Sequence, residues 1–207
     1  MAPDPDVRRT IVAAATEALR EQGVRSLSVA AVLDRADLST RAFYRHFESK
    51  DHVIAAVFYE AAQAEKRRLK RNMAKTASPV EAVAAWIDGR LDLAFDENIK
   101  SDLRQLSLEA QSQMFAAPEL IQPAFEEMLK PLIEQLSRGL SAGVFHDINP
   151  VAEAQLIQGA VWASTQRHWA GSYSEPAEVR GRVLWFCLRG LGVHAATIDD
   201  IAARGRQ

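Results

Sequence analysis

The feature that most constrains this chain is a pair of short segments near its N-terminus, VAAVLDRA and TRAFYRHF. Ser28 precedes the first and Ser39 the second, and a serine oxygen at that position can accept a hydrogen bond from an N–H of the first helical turn. Both segments are therefore predicted to be helices, joined through the tight connection Ala36-Asp37-Leu38. Helices of about seven residues are unstable alone. The two must pack on a neighbour at a steep angle, as helix-turn-helix units do.

Helical periodicity dominates the rest of the sequence, and no stretch alternates between polar and apolar residues as a half-buried strand would. We therefore predict an all-α fold. The first helix is expected from about Asp6 to Gln22, with Gly23 as its C-terminal stop, and a longer fourth helix follows Ser49. Further helices are predicted near residues 79–97, 101–114, 119–141, 150–171 and 176–195. The tail after Thr197 is expected to fray.

The first clear break in the pattern lies at Thr76-Ala77-Ser78-Pro79, where Pro79 suits the first position of a helix. We therefore predict a smaller domain over residues 1–75, with the fourth helix as connector, and a larger helical domain over residues 76–207. The first 75 residues hold 14 Lys and Arg against 10 Asp and Glu, whereas the rest hold 11 against 17. This distribution permits contact between the N-terminal domain and phosphate, but it does not require such contact.

The composition argues against several classes of protein. No apolar run approaches the ~18–20 residues that span a membrane, and the N-terminus lacks the apolar stretch of a signal peptide. A single cysteine, Cys187, leaves no internal disulfide, and the five histidines show no metal-ligand spacing. Motifs such as HExxH, GxSxG and the P-loop do not occur. We expect a cytoplasmic protein that is not an enzyme, with no catalytic residues, cofactor, metal site or membrane partner.

The segment Thr40–Phe47 has the pattern of a helix that enters a DNA groove. Phe43 and Phe47, four residues apart, define its buried side. The exposed sides carry Arg41, Ala42 and Arg45, flanked by Thr40, Tyr44 and His46. Arginine can bind guanine in bidentate fashion, Thr and Ala can contact a thymine methyl, and Tyr or His can donate to phosphate. A surface hairpin that never contacts DNA is the alternative interpretation.

The stretch LSVAAVLDRADLSTRAFYRHFESKDHV resembles the DNA-binding signature of the TetR family of bacterial transcriptional regulators. With the first helix, the resemblance covers roughly residues 7–56, and the core from Phe43 to Lys50 is its most specific part. It implies that the third helix enters the major groove. The implied contacts are Thr40 and Arg41 to bases, Ser28, Tyr44, His46 and Lys50 to phosphate, and Arg45 to either. We also count Ser39, which precedes that helix, among the candidate DNA contacts.

One element departs from the family pattern. The usual turn is Ala-Gly-Val-Ser, whereas this chain has Ala36-Asp37-Leu38-Ser39. Aspartate tolerates the left-handed backbone region better than most residues, so the turn is expected to survive at a small cost. Its negative charge near phosphate is expected to weaken DNA binding slightly. Lys50, in the first turn of the next helix, opposes the helix dipole unless an anion such as phosphate lies nearby.

The resemblance further implies that residues 1–75 bind DNA and that residues 76–207 bind a small effector and dimerise. Large apolar side chains with few polar neighbours suit a hydrophobic ligand. The pocket candidates are Trp86, Phe95, Met114, Phe115, Phe125, Met128, Trp162, His168 and Trp169. Aromatic residues and methionines on helices are more often plain core, which is the alternative interpretation for each of them.

The last two long helices are the predicted dimer interface, as they are in the resembled family. The candidates are Ala154, Ile157, Val161, Val183, Phe186 and Arg189, with packing inside one chain as the alternative. We therefore predict a homodimeric repressor that a small hydrophobic effector releases from a palindromic operator in double-stranded DNA. The alternative is a dimeric helical ligand-binding or protein-interaction module without specific DNA binding.

Overall fold

Five of the helices begin with a proline. Proline suits the first helical position, because a backbone N–H there would have no partner within the helix. The computed structural model describes residues 4–96, 101–171 and 175–204, apart from the side chains of residues 101–103 and 115. Within this part the chain forms ten α-helices and no strand. They are α1 (Pro5–Ser26), α2 (Val29–Ala36), α3 (Thr40–Tyr44), α4 (Lys50–Met73), α5 (Pro79–Phe95), α6 (Ser101–Ala116), α7 (Pro118–Ser141), α8 (Pro150–Trp169), α9 (Pro176–Gly190) and α10 (Ala195–Arg204).

The all-α prediction is confirmed, and two local expectations need correction. The helical backbone of α1 is interrupted at Gly23, with φ 74°, where the sequence predicts a stop, and helical residues resume as far as Ser26. The third helix ends at Tyr44 instead of Phe47, because the chain turns at residues 45–46. After Thr197, the described residues 198–204 are helical within α10, where Ile198 is fully buried, and α10 packs on α9. Burial of this apolar side outweighs terminal fraying.

The described chain divides into two compact units. Unit 1 contains residues 4–64 and 101–127, and unit 2 contains residues 65–96, 128–171 and 175–204. Residues 101–127 thus belong to the N-terminal unit, which differs from a division at residue 76. The assignment of DNA binding to residues 1–75 and of effector binding and dimerisation to residues 76–207 concerns function, and it stays a prediction.

Unit 1 is built on one apolar cluster. Its largest fully buried side chains are Ile11, Leu19, Phe43, Ile54 and Ile121. They come from α1, α3, α4 and α7, so the short helix α3 is held by neighbours on several other elements. Burying one large apolar side chain contributes roughly 1.5–3 kcal/mol. This burial compensates for the poor intrinsic stability of so short a helix.

Helix α6 hydrogen-bonds to the end of α1 within unit 1. The backbone N–H of Val24 donates to Oε2 of Glu109 at 3.4 Å, and Nε2 of Gln105 donates to the carbonyl oxygen of Arg20 at 2.6 Å. Both bonds satisfy backbone groups around Gly23, where the positive φ interrupts the helical ladder. The side chains of α6 therefore complete the C-terminal end of α1.

In unit 2, α5 packs on α8 and α9, and two charged contacts join helices there. Glu65 of α4 accepts hydrogen bonds from Arg68 Nε at 2.8 Å and from Arg90 Nη1 of α5 at 2.9 Å. Burial raises the pKa of Glu65, but the Arg68 hydrogen bond and the Arg90 charge outweigh it, so this pKa lies below its usual value. Asp88 of α5 is ion-paired with Arg180 of α9. Burial nevertheless raises the pKa of Asp88 to about 6.

The C-terminal end of α7 is fixed by a close contact with the loop that follows it. The N–H groups of Val144 and Phe145 donate to the carbonyl of Gly139 at 2.8 and 3.2 Å, and Gly143 has φ 67°. A Cβ at position 139 would overlap the ring of Phe145. Only glycine allows this ring to lie against the helix backbone.

Candidate nucleic-acid interface

A serine caps the beginning of each helix of the helix-turn-helix. Ser28 Oγ accepts a hydrogen bond from the N–H of Ala31 at 3.1 Å, and Ser39 Oγ accepts one from the N–H of Ala42 at 3.3 Å. These are the first-turn contacts that the sequence predicts at both positions. They fix where α2 and α3 begin, and hence which side chains of α3 face outward.

The turn between the two helices adopts the left-handed conformation at Asp37. This residue has φ 51° and ψ 49°, and the next N–H, that of Leu38, donates to the carbonyl of Leu33 at 3.1 Å. The aspartate therefore occupies the place of the family's glycine with the glycine's backbone geometry. Its side chain is exposed, which keeps a negative charge on the surface just ahead of α3.

Two phenylalanines hold α3 in place. Phe43 is completely buried and Phe47 is 5% exposed, with their ring centroids 5.8 Å apart. The guanidinium of Arg8 on α1 lies over the ring of Phe47, 5.2 Å from its centroid. The ring of Tyr44 meets that of Phe43 edge to face, while Tyr44 itself is 57% exposed. Helix α3 is thus anchored by one side, and its other side faces solvent.

The predicted DNA contacts are all exposed or half-buried in the structure. Exposed residues are Ser28, Ser39, Thr40, Arg41, Tyr44 and Arg45, and half-buried ones are His46 and Lys50. Lys50 is the first residue of α4, where Ser49 Oγ accepts a hydrogen bond from the N–H of His52 at 3.2 Å. A cation therefore lies at a helix N-terminus, an arrangement that a nearby phosphate would stabilise.

An ion pair that sequence reasoning missed joins α2 to α1. Both terminal nitrogens of Arg35 donate to the two carboxylate oxygens of Glu21, with Nη1 and Oε1 3.0 Å apart. The Arg35 hydrogen bond lowers the pKa of Glu21. The two residues are 14 positions apart, so neither helical spacing nor capping could reveal the pair. The pair links α2 to α1 at the protein surface.

The nine pocket candidates do not form one group. In unit 2, Trp86 is fully buried, Met128 is 6% exposed, the rings of Phe95 and His168 are 4.5 Å apart, and those of Trp162 and Trp169 are 5.6 Å apart. Met114 and Phe125 instead pack against the apolar cluster of unit 1. The side chain of Phe115 lies outside the described residues. Core packing thus accounts for Met114 and Phe125.

The dimer-interface candidates also divide. Ala154, Ile157, Val161 and Val183 are at most 5% exposed, so they pack inside their own chain and are not available to a partner. Phe186 is 70% exposed, and Arg189 is exposed with its guanidinium over the ring of Trp185. The other face of α8 carries Leu156, which is 66% exposed. The apolar stripe read from the sequence was therefore the core side of α8, and the open side is the one that bears Leu156.

Two kinds of site are not found in the described part of the chain. No group of three His, Cys, Asp or Glu side chains there could hold a metal ion. No helix there has both the length and the apolar character needed to cross a bilayer. Cys187 is buried, and burial raises the pKa of its thiol to about 12.

Comparison with known proteins finds a family match in the N-terminal part of the chain. Residues 11–57, which contain α2, the turn and α3, match the family model described as bacterial regulatory proteins, tetR family. No curated protein sequence matches the chain. The matched segment begins within α1 and ends within α4, so it spans the N-terminal helices whose apolar side chains form the unit 1 core.

Solved structures resemble the chain over nearly its whole length. RolR in complex with resorcinol has a TM-score of 0.68 at 20% identity, over 96% of this chain and 94% of that chain. FadR from Bacillus subtilis in complex with stearoyl-CoA has a TM-score of 0.67 at 20% identity, over 90% and 99%. GusR from Salmonella enterica has a TM-score of 0.62 at 16% identity, over 97% and 94%. At these identities the likeness establishes a shared fold.

Proposed function

We propose that this chain, whose residues 11–57 match the model of the tetR family of bacterial regulatory proteins, is a homodimeric repressor of transcription that binds a palindromic DNA operator. The observation that carries the proposal is the two-sided character of α3. Phe43 fixes the helix in the unit 1 core, while Arg41 and Tyr44 of the same helix remain exposed. A short helix anchored in this way can enter the major groove of DNA.

The exposed side chains have distinct roles in this proposal. Thr40 and Arg41, at the start of α3, contact base edges, with Arg41 bidentate to a guanine. Tyr44 donates to phosphate, and so do Ser28, His46 and Lys50 around it. Arg45, in the turn after α3, can reach either. Phosphate contacts fix the register of the helix on the duplex, and base contacts supply sequence preference.

We assign the dimer interface to the open side of α8 and α9. Leu156 and Phe186 are large apolar side chains that are more than half exposed, and Trp185 is 37% exposed beside them in sequence. A Cβ added at Gly159 or Gly181 would meet no atom within 4 Å, so a second helix can approach there. Exposed apolar patches with aromatic residues are typical of protein–protein interfaces. Two-fold symmetry would present two copies of α3 to two half-sites.

We further propose that a small molecule bound in unit 2 releases the protein from its operator. RolR and FadR, which share the fold, were solved with resorcinol and with stearoyl-CoA respectively. Helix α4 contributes Lys50 to the proposed DNA interface and Glu65 to the unit 2 network, so it is the element through which binding is expected to act. An effector that favours a conformation with a different spacing of the two α3 helices would weaken binding to both half-sites.

The test is a selection of bound duplexes from a random DNA pool with the purified protein at moderate salt. The expected result is a palindromic motif whose half-sites lie about one helical turn apart or a multiple of it. Weak, salt-sensitive binding without any motif would contradict the proposal and favour a dimeric helical interaction module. Light scattering on the same sample gives the oligomeric state, and a monomer at micromolar concentration would contradict the dimer.

A further inference from the structure

One side of α8 carries three buried polar atoms that lack hydrogen-bond partners in the described structure. They are Oε1 of Gln158, Nε1 of Trp162 and Nε1 of Trp169. The three residues are four and seven positions apart, a spacing that aligns side chains on one face of a helix. We refer to Gln158, Trp162 and Trp169 as the α8 stripe. Leu156, the most exposed apolar residue of α8, lies on the opposite face.

Such atoms are uncommon in a folded protein. Buried polar groups are almost always hydrogen-bonded, and a buried tryptophan N–H usually finds an acceptor. Gln158 is only 7% exposed, so its oxygen cannot be satisfied by bulk water. A fourth atom of this kind is Nε1 of the fully buried Trp86, on α5, which packs against α8. The α8 stripe and Trp86 thus contribute three donors and one acceptor without partners in the described structure. Asp88 Oδ1, Arg90 Nε and His168 Nδ1 are further buried atoms of unit 2 in the same condition.

The charged residues of α5, the helix that packs against α8, are each ion-paired with an opposite charge. The two charged residues of unit 2 that are buried in the described structure, Glu65 and Arg90, are bonded to each other. Asp88, also on α5, is paired with Arg180. A charged ligand would have to enter this interior without a counter-charge, which is strongly unfavourable. A neutral ligand with hydrogen-bonding oxygens meets no such penalty.

The α8 stripe also offers aromatic surface. The rings of Trp162 and Trp169 are 5.6 Å apart and meet edge to face, at an interplanar angle of 77°. Flat apolar groups pack well against such pairs. Carbonyl and hydroxyl oxygens accept hydrogen bonds from indole N–H groups, and a hydroxyl can donate to the oxygen of Gln158.

We infer that the effector is an uncharged aromatic molecule bearing carbonyl or hydroxyl groups, and that it binds along the α8 stripe. That this effector releases the protein from DNA rests on the proposed function, whereas its binding to the α8 stripe does not. The unpartnered atoms of the stripe orient the ligand through hydrogen bonds, and the tryptophan rings provide its apolar contact area. The inference narrows the effector from any hydrophobic molecule to one with hydrogen-bonding oxygens and no net charge.

The test is isothermal titration of the full-length protein, without DNA, against one-ring and two-ring aromatic probes. Each ring system is used unsubstituted and with an acetyl, hydroxyl, carboxylate or aminomethyl group. The acetyl and hydroxyl compounds of at least one ring size are expected to bind at least 10-fold more tightly than the unsubstituted, anionic and cationic members. The proposal is wrong if an ion binds most tightly, if the unsubstituted ring binds equally well, or if no probe binds.

Variants locate the site. Gln158→Met replaces the amide by an apolar thioether of similar length, and Trp162→Phe and Trp169→Phe remove the indole N–H together with part of the ring surface. Each is expected to weaken the acetyl or hydroxyl probe about 3- to 10-fold more than it weakens the unsubstituted ring, because only the former loses a hydrogen bond. Tyr59→Phe is the control, because Tyr59 of α4 is 39% exposed in unit 1 and the change also removes one hydrogen-bonding group from an aromatic side chain. Equal effects of Tyr59→Phe and the stripe variants would overturn the site.

The two proposals fail separately. If a probe binds the stripe but the protein selects no DNA motif, the ligand site is upheld and the proposed DNA-binding function is contradicted. A protein that selects a palindrome but whose oxygen-bearing probes are unaffected by all three stripe variants would uphold the regulator and contradict the site. Melting temperatures of all variants are measured alongside, so that a loss of binding is interpreted only in a folded protein.

Discussion

Asp88 on α5 is ion-paired with Arg180 on α9, yet one of its oxygens, Oδ1, is buried without a hydrogen-bond partner among the described residues. Burial dominates this carboxyl and raises its pKa to about 6, while the charge and hydrogen bond of Arg180 oppose the rise. The folded protein therefore binds the Asp88 proton more tightly than the unfolded chain does, for which the usual value of 3.8 applies. Protonation of Asp88 therefore adds to the unfolding free energy in full below about pH 4, and this contribution is lost as the pH rises through 6.

The first prediction is that the contribution of Asp88 to stability falls as the pH rises. Relative to an Asp88→Asn variant, the wild-type protein is expected to lose on the order of 2–3 kcal/mol of unfolding free energy between pH 4 and pH 7. Urea unfolding of both proteins at pH 4, 5, 6 and 7 measures the difference. A difference that does not change with pH, or that changes in the opposite direction, would contradict the assignment to Asp88.

The second prediction separates two neighbours on α3. Phe43→Ala removes a fully buried ring and is expected to cost about 3–5 kcal/mol of unfolding free energy. Tyr44→Ala changes a residue that is 57% exposed, so it is expected to leave stability within about 1 kcal/mol while weakening DNA binding. Thermal unfolding and titration of the selected operator measure the two effects. A Tyr44→Ala protein that unfolds as readily as Phe43→Ala would show that α3 is anchored differently.

The third prediction concerns base contacts against phosphate contacts. Arg41→Ala is expected to cost roughly 1–3 kcal/mol per half-site on the operator and to reduce discrimination against scrambled DNA. Lys50→Ala is expected to weaken both DNAs alike and to lower the salt slope by about one per half-site. Arg9→Ala, an exposed arginine on α1, serves as control. If Arg41→Ala weakens operator and scrambled DNA equally, Arg41 does not read bases.

The fourth prediction uses the left-handed residue of the turn. Asp37→Asn keeps a side chain that tolerates φ 51° and removes only the charge, so it is expected to preserve stability and to bind DNA roughly 2- to 5-fold more tightly at low salt. Asp37→Val is expected to destabilise the protein by about 1–2 kcal/mol, because β-branched residues are strained in this region. Fluorescence anisotropy and thermal unfolding report the two properties. Unchanged affinity of Asp37→Asn would mean that the charge lies away from phosphate.

The fifth prediction tests the assigned dimer interface. Phe186→Glu replaces an apolar side chain that is 70% exposed, and symmetry places the change twice in one interface. The dimer dissociation constant is expected to rise by about 100-fold or more, since each buried aromatic ring contributes roughly 1.5–3 kcal/mol. Val144→Glu, at a position that is 40% exposed after α7, is the control. Sedimentation equilibrium measures both, and a Phe186→Glu protein that dimerises like the control would place the interface elsewhere.

The helix-turn-helix could be predicted from the sequence because its signals are local. The caps at Ser28 and Ser39 act within three residues, and the spacing of Phe43 and Phe47 is one helical turn. The contact of α6 with α1 could not be predicted, because Glu109 and Val24 are 85 residues apart and a single glutamate carries no sign of its partner. Interactions at such a distance are set by tertiary packing.

The interface candidates show a second limit of periodicity. An apolar stripe indicates which side of a helix is buried, but the same stripe serves a core and a partner equally well. Ile157 and Val161 belong to the core of their own chain, and the open side of α8 is identified by Leu156, a single exposed residue among small ones. The pocket candidates lie in both units for the same reason. Met114 is a large apolar residue of the kind that can line a pocket, but it packs against the apolar cluster of unit 1.

Unit 1 is discontinuous along the chain, with residues 4–64 completed by residues 101–127, and Ile121 of α7 is fully buried in its core. A ribosome makes proteins from the N-terminus at about 5–20 residues per second. The 63 residues between positions 64 and 127 therefore take roughly 3 to 13 seconds to synthesise. During that interval the nascent helices α1 to α4 exist with part of their apolar surface uncovered. The half of the molecule assigned to DNA recognition thus reaches its final form only after more than half of the protein has been translated.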